Sequence, residues 1–248
     1  MNSPFIPRNR ANLIIISGEV EDRYLERLRM EGVIIVKTIP HPNLDTSIAY
    51  HPDMVICPID AQKIVVEPLV YDYYKKELAN FNIEVIRGTT LIKNKYPFDI
   101  AFNTLINGGY GFHNLKYTDK TILSMISGSV VDWIDVKQGY TKCSVMIVDE
   151  DSIITADRII ADKWSKLGKE VLLIENGFVN LPGHRYGFIG GATGNLGNKS
   201  IIISGSLKSH PDFARIYEFL ETRNIDMVNL GYDKIYDVGT ILAFFYSH

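Results

Sequence analysis

Ile14-Ile15-Ile16-Ser17-Gly18 and Ile201-Ile202-Ile203-Ser204-Gly205 spell the same five letters near opposite ends of the chain. A β-branched run ended by a small residue is how many buried strands stop, so only the flanks decide whether the match is repetition. Leu13 to Ser17 is followed by a helical stretch, Glu21 to Met30, with Leu25 and Leu28 on one side, and then by the β-branched run Val33 to Val36. Ile201 to Ser204 is followed by Pro211 to Arg223, where Phe213, Ile216, Tyr217 and Leu220 recur at helical spacing, and then by Ile225 to Leu230. Strand, helix, strand appears twice.

The same succession lies between them. Lys63 to Val66 precedes a helix over Val70 to Phe81 and a strand over Ile83 to Ile86, and Ser152 to Thr155 precedes Asp157 to Leu167 and Glu170 to Ile174. A weaker copy runs through a strand at Leu115 to Tyr117, a helix from Asp119 to Ser127, and Val130 to Val136. A further strand is expected before four of the units, and its openings align as YHPDMVIC from Tyr50, YPFDIAFN from Tyr96, YTKCSVMI from Tyr140 and HRYGFIGG from His184. The aligned residues are Asp53, Asp99, Cys143 and Gly187, spaced by 46, 44 and 44 positions; KIYDVGTI from Lys234 adds Asp237 after another 50.

No helix follows that last strand, and no first strand precedes the first IIISG. The economical reading is an α/β protein, a five-bladed ββαβ propeller whose pseudo-fivefold ring is closed by pairing of the N- and C-terminal segments. Closure removes exposed sheet edges. The expected organisation is one domain over residues 1–248, with 1–12 as an N-terminal arm.

Composition fits a globular chain. With 46% hydrophobic and 22% charged residues among 248, it buries a core and is too apolar for disorder. The 26 basic residues against 29 acidic ones are scattered, with no cluster beyond pairs such as Lys75-Lys76, which argues against nucleic-acid or membrane partners. Cys57 and Cys143 are too few for a disulfide framework, and neither a signal peptide nor a membrane span is visible, so a cytoplasmic location is expected. Oligomeric state is not legible.

The five-unit ββαβ ring resembles the pentein fold, the α/β-propeller of the guanidino-group modifying enzymes. The combination YPFDIAFN, CSVMIVDEDSIITAD and GFIGGATGN resembles an uncharacterised bacterial branch of that superfamily. The resemblance implies a small guanidino or amidino cation bound on the ring axis, with amidinohydrolase or amidinotransferase chemistry. It further implies a nucleophilic cysteine in the first strand of the last unit, assisted by a histidine and carboxylates from other units. Asp237 to Leu242 contains neither cysteine nor histidine, and its one hydroxyl, Thr240, is a poor nucleophile without a base. Cys143 is the candidate relocated nucleophile, with His184 or His51 as its base; an inert buried cysteine is the alternative. Lys142 beside it would point to the opposite strand face and leave its thiol untouched.

First strands of such a ring line its axis, so Asp53, Asp99, Cys143, Gly187 and Asp237 are expected to converge. Three gathered carboxylates repel one another unless a cation, proton or hydrogen bonds compensate them, which points to a cationic ligand. Even spacing along a strand places His51 and Cys57 with Asp53, and Asn103 with Asp99. Paired oxygens of this kind suit a planar guanidinium. Alternatively, each Asp simply caps a strand end. The six histidines are dispersed, and no metal site or cofactor is expected.

Gly191-Ala192-Thr193-Gly194-Asn195-Leu196-Gly197 matches a nucleotide-loop spacing, but it leads into a strand, so no helix N-terminus is available for a pyrophosphate. A hairpin is the plainer reading. Two alternatives to the cation-binding reading therefore stand: a non-catalytic pentein module for binding or assembly, and a nucleotide-dependent oxidoreductase.

Overall fold

The structure, a computed structural model, describes residues 3–126, 132–231 and 233–247. It contains five three-stranded sheets of one design, in which a first strand pairs antiparallel with a second, and the second pairs parallel with a third across a helix. The first sheet places β1 (Leu13–Ile16) between β15 (Leu242–Phe244) and β2 (Ile34–Lys37), with α1 (Asp22–Met30) as the crossover. The short α2 (Pro52–Val55) leads into β3 (Ile56–Asp60), which pairs with β4 (Lys63–Val66), α3 (Tyr71–Glu77) and β5 (Glu84–Arg87) completing the unit. The third unit is β6 (Leu105–Asn107), β7 (Tyr110–His113), α4 (Lys120–Ile126) and β8 (Asp132–Asp135). The fourth is β9 (Val145–Ile147), β10 (Ser152–Thr155), α5 (Arg158–Lys166) and β11 (Glu170–Leu173). The fifth is β12 (Thr193–Gly197), β13 (Ser200–Ile203), α6 (Phe213–Glu221) and β14 (Asp226–Asn229).

Burial explains the repeated letters. Both IIISG runs are second strands, and every residue of β1, β10 and β13 is buried, as befits a strand paired on both sides and covered on both faces. The helices bury only one stripe: Leu25 and Leu28 of α1, Ile160, Ala161 and Trp164 of α5, and Ile216 and Leu220 of α6. Asp157 starts α5 by accepting from the amides of Ile159 and Ile160, each at 2.9 Å.

The N- and C-terminal segments meet in one sheet. Leu13 faces Phe244 and Ile15 faces Leu242 in antiparallel register. Asn12 clasps the end of the pairing, its Nδ2 donating to the Tyr246 carbonyl at 2.8 Å and its Oδ1 accepting from the Tyr246 amide at 3.0 Å. First strands of neighbouring sheets also touch, with β12 lying beside both β9 and β15. Residues before β1 pack on the body: the Ser3 hydroxyl donates to Asn107 Oδ1 and accepts from the Gly108 amide, and Phe5 is buried.

Two expectations need correction. Leu115 to Tyr117 is a turn, and the second strand of the third unit is β7, a few residues earlier. Its Gly111 weakens the strand signal, yet a Cβ there would collide with the indole of Trp133 on β8. Second, the aligned residues do not lie on the first strands. Asp53 is in α2, while Asp99, Cys143, Gly187 and Asp237 sit in turns or irregular chain ahead of β6, β9, β12 and β15. Each segment turns before it extends, so alternation along a strand does not govern which way these side chains face. The expected helix end at Ser127 and strand start at Val130 lie outside the described residues.

Candidate functional site

The approach to the second unit begins at His51, where Pro52 supplies the fixed φ that suits the first helical position. The Asp53 amide donates to the Gly239 carbonyl at 3.0 Å, so α2 is docked on the segment before β15. Asp53 is buried; its Oδ2 accepts from the Thr240 hydroxyl at 2.6 Å, and its Oδ1 has no hydrogen-bond partner among the described residues. Thr240 has φ +68°, a left-handed conformation that is an outlier for a β-branched residue. It is fixed there by its amide, which donates to the Gly191 carbonyl at 2.8 Å.

Asp237 enters the same region from the other side. Its Oδ2 accepts from the Phe188 amide at 2.8 Å and its Oδ1 from the Gly239 amide at 3.0 Å. Gly187 and Gly191 make room, because a Cβ on either would collide with the Asp237 side chain. The first glycine of the nucleotide-like motif therefore accommodates a carboxylate. The motif's Thr193–Gly197 is β12, the first strand of the β12–β13 hairpin, whose turn residues Asn198 and Lys199 both have positive φ.

Lys142, absent from the expected set, supplies the cation of this cluster. Its Nζ donates to Thr240 Oγ1 at 3.3 Å and to the Val145 carbonyl at 3.4 Å, and it lies 5.3 Å from the centre of the Phe5 ring. Asn103 Oδ1 fixes the turn that carries it, accepting from the amides of Lys142 at 2.9 Å and Cys143 at 3.2 Å. The sequence signal was the charge next to an aligned position, obscured by placing the pair on a strand.

Burial dominates the electrostatics. It raises Asp53 and Asp237 to about 6 each, with Asp237 adding to the shift of Asp53 by repulsion, and the Thr240 hydrogen bond opposing it. Burial lowers Lys142 to about 8, and the attraction of Asp53 works against that. At neutral pH the cluster holds two carboxylates against one ammonium. His51 is lowered by burial to about 4, so its imidazole is neutral, and its Nδ1, 3.8 Å from Asp237 Oδ1, forms no ion pair there.

Asp99 stands apart from this pair. Its Oδ2 accepts from the Tyr140 hydroxyl at 2.7 Å, its Oδ1 has no hydrogen-bond partner among the described residues, and burial raises its pKa. Cys143 lies between, with its Sγ 3.5 Å from the Tyr140 carbonyl. Burial pushes its thiol well up, Asp53 and Asp237 push it further, and Lys142 pulls the other way. Lys142 thus does act on Cys143, contrary to the strand-face argument, but the opposing effects are larger.

Beside the cluster a cleft of 770 Å³ opens, bordered by Glu19, Glu21, Asp45 and Ser47, with Arg23 paired to Glu21 at 3.0 Å, and reaching His51 and Asp237. His184 is exposed and follows Gly183, which lines the cleft. Ser47 Oγ donates to Asp45 at 2.6 Å, so the His184 Nε2 that lies 2.7 Å from Ser47 Oγ is the donor in that bond. Among the described residues no hydrogen bond joins His184 to Cys143. No group of three or more potential metal ligands is found among them either, and no described helix is long and apolar enough to cross a membrane.

A sequence profile for a family of unknown function, DUF6873, matches residues 15–242. No curated protein matches the chain in sequence. Among solved structures it is similar to an amidinotransferase of the saxitoxin pathway of Microseira wollei, with a TM-score of 0.60 at 10% identity over 98% of this chain and 97% of that one. Agmatine deiminase of C. jejuni with substrate bound gives 0.59 at 12% identity, over 98% and 96%. Inosamine-phosphate amidinotransferase of Streptomyces griseus gives 0.57 at 9% identity, over 100% and 97%. These are pentein-superfamily structures, and the fold of this chain is theirs.

Proposed function

The chain belongs to the DUF6873 family, and we propose that it binds a small guanidino- or amidino-type cation at the Asp53–Asp237 cluster, entering through the adjoining acidic cleft. In this reading the five sheets are blades around one axis, closed by the β1–β15 pairing, and the cluster is the axial pocket. Asn103 holds its wall, His51 borders it, and Asp99 marks its outer edge beside Tyr140.

One observation carries the reading. Asp53 Oδ1 is a buried carboxylate oxygen with no hydrogen-bond partner among the described residues, next to a second carboxylate, in a cluster with only one ammonium. A buried charge of this kind calls for a donor and a positive charge. A planar guanidinium supplies both, and amidinotransferases and agmatine deiminase of the same fold are named for this chemistry.

The site favours binding over cysteine-based turnover. A nucleophilic thiolate needs a lowered pKa and a nearby base, whereas Cys143 is raised and His184 is engaged with Ser47. The test is thermal unfolding with agmatine and methylguanidinium. A ligand of the native state raises Tm in proportion to RT ln(1 + [L]/Kd). The expected result is a saturable rise with at least one compound, lost in Asp53→Asn and Asp237→Asn. No rise with either compound, or a rise that both variants keep, overturns the proposal.

A further inference from the structure

A second cavity, of 140 Å³, lies on the other side of the segment that holds Asp237. Phe178, Tyr186 and Phe188 line it, Asp157 and Glu175 are its acidic residues, and no lysine or arginine is among its described lining residues. The Phe188 amide points away to Asp237, at 2.8 Å, so this residue serves the cluster with its backbone and the cavity with its ring. The aromatic walls are braced. The Phe178 ring stands 5.3 Å from the His210 ring, and the Phe188 ring 6.1 Å from that of Tyr140. Gly177, at φ +94°, makes the turn between Glu175 and Phe178.

The polar groups here differ in kind from those at the Asp53–Asp237 cluster. Asp157 is already occupied, accepting from the amides of Ile159 and Ile160 and from Gln138 Nε2 at 3.3 Å. His210 accepts from the Asp212 amide at Nδ1, at 3.0 Å, and burial lowers its pKa, so it adds no positive charge. What remains is negative potential: aromatic faces, whose quadrupoles attract cations, and two carboxylates, of which Asp157 is already hydrogen-bonded. Such a site suits a cation that has no N–H to donate. A guanidinium, with five N–H groups to satisfy, would find Glu175 as the one unoccupied carboxylate of the described lining.

We propose that this cavity is a cation–π site for a methylated ammonium group, separate from the Asp53–Asp237 cluster and independent of the reading given for it. Phe178, Tyr186 and Phe188 supply the ring faces, and Glu175 the negative charge.

The probe is tetramethylammonium chloride, titrated into the full chain by NMR or calorimetry against sodium chloride at equal ionic strength. Saturable binding is expected. Phe178→Ala should weaken it roughly two- to fivefold, as loss of one exposed cation–π contact does, while Phe178→Trp should keep or tighten it. Phe178 is 45% exposed, so both variants should melt close to the parent, and the tryptophan variant covers the case in which the alanine one does not. Glu175→Gln should weaken binding and Asp53→Asn should leave it unchanged. Absence of saturable binding overturns the proposal. So does binding that ignores the substitutions at Phe178 and is lost in Asp53→Asn, which would assign the ion to the carboxylate cluster.

Discussion

Thr240 donates its hydroxyl hydrogen to Asp53 Oδ2 over 2.6 Å, joining residues 187 positions apart. This is the only side-chain hydrogen bond that Asp53 makes among the described residues. In Thr240→Val both carboxylate oxygens are left bare, and a buried acceptor without a partner costs about 1–3 kcal/mol. Thr240→Ser keeps the hydroxyl and should lose much less. The bond favours the ionised form of Asp53, so the valine variant's deficit in urea unfolding should be larger at pH 8, where the carboxylate is ionised, than at pH 5, where it is protonated. A deficit equal at pH 5 and pH 8 would show that the carboxylate plays no part.

Cation binding at the cluster should itself depend on pH. Asp53 and Asp237 both titrate near 6 in the free protein. The charge that attracts a guanidinium is therefore present above that value and lost as protons bind below it. Affinity for methylguanidinium should fall at least about tenfold between pH 7.5 and pH 5, approaching the limit of one proton displaced per carboxylate. Calorimetry across that range checks it; an affinity that is flat or rises on acidification contradicts the assignment.

Closure of the first sheet predicts unequal costs of trimming. Deleting residues 238–248 removes β15 and the segment docked on α2, and it uncovers buried Leu13 and Ile15, which face Phe244 and Leu242. Cooperative unfolding should disappear. Asn12→Ala, which removes only the clasp on Tyr246, should cost about 1–3 kcal/mol for its two hydrogen bonds. A truncated chain that melts like the parent would separate the two ends energetically.

Both cysteines should be inert in the native state. Cys57 and Cys143 are buried, and burial raises both thiols, while the thiolate is the reactive form. Maleimide at pH 7.5 should label neither within minutes, and both once the chain is unfolded in guanidinium chloride. Fast native labelling of Cys143 would revive it as a nucleophile.

The repeat was legible because second strands of such units are buried on both faces and so carry β-branched runs, as in Ile14 to Ile16 of β1 and Ile201 to Ile203 of β13. The third unit was blurred because its second strand is Tyr-Gly-Phe-His, chosen for contact with Trp133 and for the bonds of His113 to Thr118 and Gly139. Aligning Asp53, Asp99 and Asp237 found equivalent places along the chain, but alignment does not give direction. The turns before the first strands send Lys142 toward Asp53 and Asp237 while Asp99 goes to Tyr140. The sequence around Thr240 offers only its hydroxyl; its left-handed backbone and its bond to Asp53 come from tertiary contacts with no local signature.

The pairing of Leu13 with Phe244 also sets a timetable for biosynthesis. A ribosome adding 5–20 residues per second needs roughly 12–46 s to travel between those two positions. Throughout that interval β1, an entirely apolar strand, can gain β2 on one side while its other edge stays open to foreign strands. The sheet that starts first is finished last, so the nascent chain depends on whatever shields that edge until translation reaches Leu242.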